Sequence, residues 1–404
     1  MVSNPKFNKK YANKLAFPYA KPDVTKKDIE TVLKVFSSQF LAQGEKVKLF
    51  EKAIQNKFKV KNAVICNSGT SALHSVYKCL GLNSKNGIVT SPITFLATAN
   101  AARMCDAPVE FADVDPINGL ITPETLEAAI KKAKFKVKLA VVVHLGGHLC
   151  DMEGLFSVAK KFNCLLVEDA CHAIGAKNYD KFQKPSFVGS CKYSIASTFS
   201  FHAIKNITMG EGGCVTTNSK ELAEKVRLNI SHGIIRDKNK MHNPPKNSPW
   251  YYQMNDIGWN YRASEISCAL GLSQFSRLDN IILKRNKLAI YYKKFIKSNK
   301  FIELPNYSEK ANAKGWHLFQ LSVDFKGLGK SKKEFMIYLN KSSIGSQVHY
   351  IPIFLQPYYK KTNKSVKLNG AIKFYEKTIS IPMYTSLKKN NIKYISDKIN
   401  NFFS

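Results

Sequence analysis

Between residues 63 and 170 short apolar runs alternate with segments of helical period. The runs are Ala63–Cys66, Gly87–Thr90, Pro108–Val114, Lys138–His144 and Cys164–Glu168. Strands that are apolar on both faces and separated by helices predict βαβ units in a mostly parallel sheet, so the core is α/β. Thr122-Pro123-Glu124 supplies an N-cap, a proline at the first helical position and an acid in the first turn, and predicts a crossover helix through Lys132. Two further strand-like runs, Ser194–Phe201 and Gly212–Thr217, flank Lys205 and place it on a tight turn. Lys220–Ile230 then reads as an amphipathic helix. Residues 237–256 are polar, contain three prolines and lack a period, which predicts a loop or lid. Tyr261–Leu278 and Leu283–Lys297 read as helices, and the mixed remainder predicts a smaller α+β unit. The expected division is a large unit over 1–265 and a small one over 266–404.

A chain of 404 residues, 44% of them hydrophobic, can fill two such cores. The formal charge of +33 suggests a polyanion partner at first sight. However, arginine occurs only at 103, 227, 236, 262, 277 and 285, and the remaining positive charge is lysine scattered with asparagine over predicted surface helices. That pattern fits a compositional bias better than a nucleic-acid surface, so no nucleic acid is expected. The nine cysteines form no CxxC pair, which argues for reduced thiols rather than disulfides or zinc. The basic opening decapeptide precedes no apolar core, and no run approaches the ~18 apolar residues of a membrane span. A soluble, cytoplasmic protein without a membrane partner is expected.

Three clusters carry chemistry. Asn67-Ser68-Gly69-Thr70-Ser71 follows a strand and opens a helix, where backbone N–H groups and the helix dipole favour a phosphate; the same residues also serve as ordinary caps. Val167-Glu168-Asp169-Ala170-Cys171-His172 lies at the carboxyl end of a predicted parallel strand, where open α/β sheets bind ligands. A carboxylate buried there needs a cationic partner, such as a protonated pyridine nitrogen, unless it merely caps the next helix. The third is Ser200-Phe201-His202-Ala203-Ile204-Lys205-Asn206-Ile207-Thr208, followed by Glu211-Gly212-Gly213. Lys205 is bracketed by apolar residues, and desolvation would make its amine a usable nucleophile. His144 and His148 straddle Gly146-Gly147, a poor arrangement for a metal pair, and no metal is expected. His202 reads as packing beside the Lys205 turn, and His232, Trp259 and Trp316 as core or interface residues.

These strings, with the chain from Phe17-Pro18-Tyr19 through Gln347-Val348-His349-Tyr350, resemble the DegT/StrS group of sugar aminotransferases. The resemblance implies the type I (aspartate aminotransferase) fold with a mostly parallel seven-stranded sheet, and pyridoxal 5'-phosphate as cofactor. It implies Lys205 as the lysine that holds the cofactor and Asp169 as partner of the pyridine nitrogen. Gly69, Thr70 and Ser200 would hold the phosphate, Phe95 would stack on the ring, and His172 would join the cofactor site. Asn260 would reach the neighbouring active site of a homodimer. L-Glutamate would donate the amine. The sugar-dehydrating branch of the group has histidine at the lysine position, so Lys205 argues against it. Histidine at 172, where glutamine is common, resembles the branch that aminates a UDP-linked 4-keto-6-deoxy sugar in pseudaminic acid synthesis. There the substrate contacts would fall on Tyr19, Gln39, Phe40, Leu41, Ala42, Gly69, His349, Tyr350, Ile351 and Pro352. The chain departs from that branch at Gly69 and in the longer polar loop before Asp256. Aminotransferases of legionaminic acid, perosamine or 4-amino-4-deoxy-arabinose type are the alternatives, and a nucleic-acid-binding regulator on the same fold is a remote one motivated by charge alone.

Overall fold

The computed structural model describes residues 15–180, 182–246, 248–305, 314–362 and 367–404. The basic opening decapeptide lies outside the described residues. The strands of the main sheet are β1 (Asn62–Cys66), β2 (Asn86–Thr90), β3 (Val109–Phe111), β4 (Lys136–Val143) and β5 (Leu165–Asp169). After a small hairpin of β6 (Lys177–Tyr179) and β7 (Pro185–Phe187), the main sheet gains β8 (Ala196–Ser200) and β9 (Gly213–Thr217). Its order is β1-β9-β8-β5-β4-β2-β3, giving seven strands. Pairings from β8 through β5, β4, β2 and β3 are parallel, while β9 runs antiparallel to both β1 and β8. β3 is shorter than its apolar run: it lies at the sheet edge and pairs only with β2 over Val109–Phe111.

Helices α1 (Lys26–Phe36), α2 (Glu45–Phe58), α3 (Gly69–Cys79), α4 (Ala97–Arg103), α5 (Pro123–Lys132), α6 (Met152–Lys161) and α7 (Lys220–Asn229) accompany the sheet. α5 starts as expected, with Thr122 accepting from the Thr125 N–H and proline in the first turn. Ile234–Ile235 (β10) and Gln253–Met254 (β11) close a two-stranded ladder, so the polar loop expected at 237–256 is for most of its length the connection of a hairpin and carries β11 near its end. α8 (Glu265–Phe275) begins at the cap Ser264, four residues later than its apolar run, because the backbone N–H groups of Asn67 and Tyr261 and the Asn260–Ser231 bridge hold that run extended. α9 (Leu278–Phe295) begins earlier than its apolar run.

A second sheet of β12 (Ile302–Glu303), β13 (Phe319–Val323) and β14 (Thr378–Ile381) is antiparallel. α9 belongs to two cores: Leu278, Ile281 and Ile282 pack with Phe50, Phe58 and Phe275, whereas Leu288, Ala289 and Tyr292 pack with Phe319, Ile379 and the helix Lys389–Phe403.

The opening of the described chain is fastened to residues far along it. Asp28 is buried and accepts from Ser273 Oγ at 2.6 Å and Arg277 Nη2 at 2.8 Å. The Glu265 carboxylate accepts from the backbone N–H groups of Gly44, Lys46 and Val47 at 3.0, 2.8 and 3.2 Å, capping α2 from another helix. Phe17 pairs with Ile344, which carries Tyr19 to the rim of the site.

Candidate active site

β5 ends in two carboxylates that the strand's alternation sends to opposite faces. Glu168 enters a closed network, accepting from Ser194 Oγ at 2.5 Å and Ser197 Oγ at 2.8 Å. The Cys150 N–H donates to His144 Nδ1 at 3.2 Å, which leaves the imidazole proton on Nε2 for Glu168, 3.1 Å away. Burial alone would raise the Glu168 carboxyl, but the hydrogen bonds from His144, Ser194 and Ser197 win and hold it below the ordinary value. His144 is thereby committed to the core, and no group of three or more metal-ligating side chains occurs among the described residues.

Asp169 faces the other way, into a cavity of about 640 Å³. It is 5% exposed and accepts from Thr98 Oγ1 at 2.6 Å and from the Cys171 N–H at 3.2 Å. Neither donor is a cation and, among the described residues, no direct ion pair is formed with this carboxylate, so the site favours a cationic partner on the cavity side. Lys205 lines the same cavity from the segment between β8 and β9, a longer loop than the tight turn expected, with its N–H donating to the His202 carbonyl at 2.9 Å. Burial pushes the Lys205 amine down, against the raising influence of Cys171 and Asp169.

The floor is made by backbone approach. Ser68 caps α3, accepting from the Ser71 N–H at 3.0 Å, and so exposes the first turn at Gly69 and Thr70. A Cβ on Gly69 would stand 2.8 Å from Ser200 Cβ and 3.3 Å from Cys171 Sγ. A Cβ on Gly213 would stand 2.1 Å from the Ser68 carbonyl oxygen, which is why the glycine pair follows Lys205. The result is a cradle of N–H groups and hydroxyls at a helix N-terminus.

His172 is buried behind Lys205. Its Nδ1 accepts from the Gly146 N–H at 3.1 Å and its Nε2 faces Tyr350 Oη at 3.3 Å, so the ring is neutral with its proton on Nε2. His349 Nδ1 meets Ser380 Oγ at 2.8 Å, and its ring packs on Tyr19 with centroids 5.5 Å apart. Burial, then the Lys205 charge, lower the His349 imidazole to about 4. Phe95 lies exposed on the lip, 6.2 Å from the Tyr350 ring.

Of the residues singled out in the sequence, the cavity gathers Tyr19, Gly69, Thr70, Phe95, Asp169, His172, Ser200, Lys205, His349, Tyr350 and Ile351. Gln39, Phe40, Leu41, Ala42, Pro352 and Asn260 do not line it. Residues 39–42 form an exposed strip beside α8, joined to it by the Ala42–Ser264 bridge, and Asn260 is exposed with its carbonyl accepting from Asn67. His202 is not a packing residue: it stands at the mouth with Nε2 3.6 Å from Glu211. His232 is exposed in a left-handed turn (φ 59°), whereas Trp316 is buried. Sequence reasoning missed Thr98, Gly146 and His317. A threonine in the second position of a short helix and a histidine inside Trp-His-Leu-Phe carry no local mark of a site.

The DegT/DnrJ/EryC1/StrS aminotransferase family matches residues 22–400. The chain is 35% identical over 384 residues to the UDP-4-amino-4,6-dideoxy-N-acetyl-beta-L-altrosamine transaminase of Campylobacter jejuni, covering 94% of this chain and 96% of the relative. It is 34% identical over 385 residues to the spore coat polysaccharide biosynthesis protein SpsC of Bacillus subtilis, covering 95% and 96%. Among solved structures, Helicobacter pylori PseC, an aminotransferase involved in the biosynthesis of pseudoaminic acid, superposes with a TM-score of 0.86 at 32% identity, over 96% of this chain and 99% of that one.

Proposed function

Because the chain belongs to the DegT/DnrJ/EryC1/StrS aminotransferase family, we propose that it transfers an amino group from L-glutamate to a UDP-linked 4-keto-6-deoxy sugar, forming UDP-4-amino-4,6-dideoxy-N-acetyl-beta-L-altrosamine for pseudaminic acid synthesis. The observation that carries the reading is the shared cavity of Asp169, a buried carboxylate with no direct ion pair, and Lys205, a buried amine. The Campylobacter jejuni relative named above for that sugar step supports the substrate.

The family is pyridoxal-phosphate dependent, and the residues present fit that group. A ring nitrogen that must stay protonated answers the buried carboxylate of Asp169, and a dianionic phosphate answers the cradle of Gly69, Thr70 and Ser200, where a Cβ on Gly69 would collide with Ser200. When bound, the cofactor supplies an electron sink that lets an amino group leave one carbon and join another. Asp169 would keep the ring nitrogen protonated, and Thr98 fixes that carboxylate. Lys205 would hold the cofactor and, once released, would move a proton between the substrate carbon and the cofactor carbon in each half of the reaction. Its burial lowers the amine's pKa and so favours the neutral, nucleophilic form. Phe95 would cover one ring face, and His172, neutral, would border the other edge without adding charge.

The same reading takes the protein as a homodimer, with Asn260 and the strip 39–42 meeting the neighbouring copy. Exposed Phe40 and Leu41, and the Ile29, Leu33 and Phe36 face of α1, support an apolar contact there. Residues 1–265 would form the large unit and 266–404 the small one. No helix among the described residues is long and apolar enough to cross a membrane, and all nine cysteines are free, which supports a cytoplasmic setting.

The test is direct. Purified protein should carry a visible cofactor band, borohydride should fix the cofactor on the peptide containing Lys205, and glutamate with the UDP-keto sugar should release 2-oxoglutarate. A Lys205→Ala protein that transaminates at the wild-type rate would sink the proposal; turnover with a different nucleotide sugar from a panel would replace the substrate and keep the reaction.

A further inference from the structure

The wall opposite the cradle contains an imidazole that the mechanism above does not use. His317 lines the cavity, is 3% exposed, and its ring lies against His172 with centroids 4.4 Å apart. Its Nδ1 is buried without a hydrogen-bond partner in the protein. An orphaned nitrogen at a cavity wall costs stability unless a ligand or ordered water answers it.

The ring is held in place from both sides of the chain. The Leu318 N–H donates to the Gly146 carbonyl at 3.1 Å, and the Gly315 N–H to the Gly147 carbonyl at 3.0 Å. Asn206 Nδ2, next to Lys205, donates to the Gly315 carbonyl at 2.6 Å, and Arg285 Nη1 donates to the Trp316 and His317 carbonyls at 2.9 and 3.4 Å. Gly147 cannot carry a side chain at this clasp, since its Cβ would stand 2.6 Å from the Trp316 nitrogen.

The charged and titratable groups around the ring are Lys205, His172, Arg285 and His349. Burial first, then Lys205 and these neighbours, hold the imidazole well below its ordinary value. A neutral imidazole offers one donor and one acceptor, which matches a hydroxyl; a carboxylate only accepts and would leave the acceptor nitrogen facing oxygen. Among the described residues no arginine lines the cavity.

We propose that His317 is a specificity-determining residue that hydrogen-bonds a hydroxyl of the sugar substrate. The inference rests on the sugar-aminotransferase reading above. It predicts that His317 serves one half of the reaction more than the other. Glutamate brings carboxylates to the site, and the sugar brings hydroxyls.

The two half-reactions separate the claims. Holoenzyme mixed with L-glutamate reports the first through loss of the visible band; the aminated enzyme mixed with the UDP-linked 4-keto-6-deoxy sugar reports the second through its return. His317→Phe, which keeps the ring and removes both nitrogens, should lower kcat/KM of the sugar half-reaction at least tenfold more than that of the glutamate half-reaction, through KM, without moving the band. His317→Gln should recover most of the loss. Equal losses in both halves, a shifted band, or no loss at all would overturn the inference. Should His317→Phe fail to fold, His317→Gln and His317→Leu are compared by calorimetry with the UDP-amino-sugar product, and equal affinities would overturn it as well. A wild-type enzyme that reacts with glutamate but with no UDP-keto sugar would instead remove the functional reading beneath it.

Discussion

Thr98 Oγ1 donates a 2.6 Å hydrogen bond to Asp169 Oδ2, and Thr94 Oγ1 stands 2.9 Å behind it. The carboxylate that would face the cofactor nitrogen is thus set by a hydroxyl from α4, the helix that follows β2. Thr98→Val keeps the shape and removes the donor. A hydrogen bond to a charged group contributes about 1.5–3 kcal/mol. The variant should therefore bind the cofactor roughly tenfold to a hundredfold more weakly, measured by titrating the apo-protein with pyridoxal phosphate. Unchanged affinity would show that the Cys171 N–H alone orients Asp169.

Gly213 and Gly210 make a paired test of the cradle. At Gly213 an added Cβ meets the Ser68 carbonyl oxygen at 2.1 Å; at Gly210 it meets nothing within 4 Å, although the backbone there has φ 77°. Gly213→Ala should push the Ser68–Gly69 turn off β9 and cost both thermal stability and cofactor retention. Gly210→Ala should cost only about 1 kcal/mol of backbone strain and leave retention near wild type. Thermal melts with and without added cofactor check the contrast.

Acid should destabilise this fold earlier than carboxylate titration requires. Burial lowers His148 to about 3 and His349 to about 4, with Lys314 and Lys205 respectively adding to the effect. Their folded values lie below the ordinary unfolded value of about 6.5. The unfolded chain therefore binds the extra protons, so stability is complete above about pH 6.5 and is lost as pH falls toward 4 and 3. Denaturant midpoints from pH 7.5 to 4.5 should decline, and His148→Phe, packed against Trp316 with ring centroids 5.3 Å apart, should flatten part of the slope. A slope identical to wild type would show that His148 does not carry it.

Glu265 is 3% exposed and serves three backbone donors of the α2 N-terminus. Glu265→Ala leaves those N–H groups without acceptors and should cost on the order of 3 kcal/mol. Glu265→Gln retains an acceptor oxygen and should cost less. Hydrogen exchange at Gly44, Lys46 and Val47 localises the effect; global destabilisation without faster exchange there would contradict it.

Much of the site was legible because its parts are local. Gly69 and Thr70, Asp169 and His172, Ser200 and Lys205 each sit in a run of residues whose chemistry is visible within a few positions, at the end of a strand that the apolar pattern predicts. Thr98 and His317 were not legible, since each acts through a partner distant in sequence: Thr98 through Asp169, and His317 through the clasp with Gly146 and Gly147 and the anchor Arg285. The same limit explains the missed hairpin of β10 and β11. Two residues a strand give no period to read, and their pairing across the loop is a tertiary fact.

The anchoring of the chain's opening by Glu265, Ser273, Arg277 and Ile344 also sets an order of events during synthesis. Domains tend to fold as units while the ribosome is still at work, the early residues first. Here α2 stays without the acceptor of its cap, and Asp28 of α1 without its counter-charge, until more than two hundred further residues have been made. A nascent chain stopped before Glu265 would thus carry α1, α2 and their apolar faces as loose cargo, a natural client for a chaperone, and release should coincide with the emergence of α8.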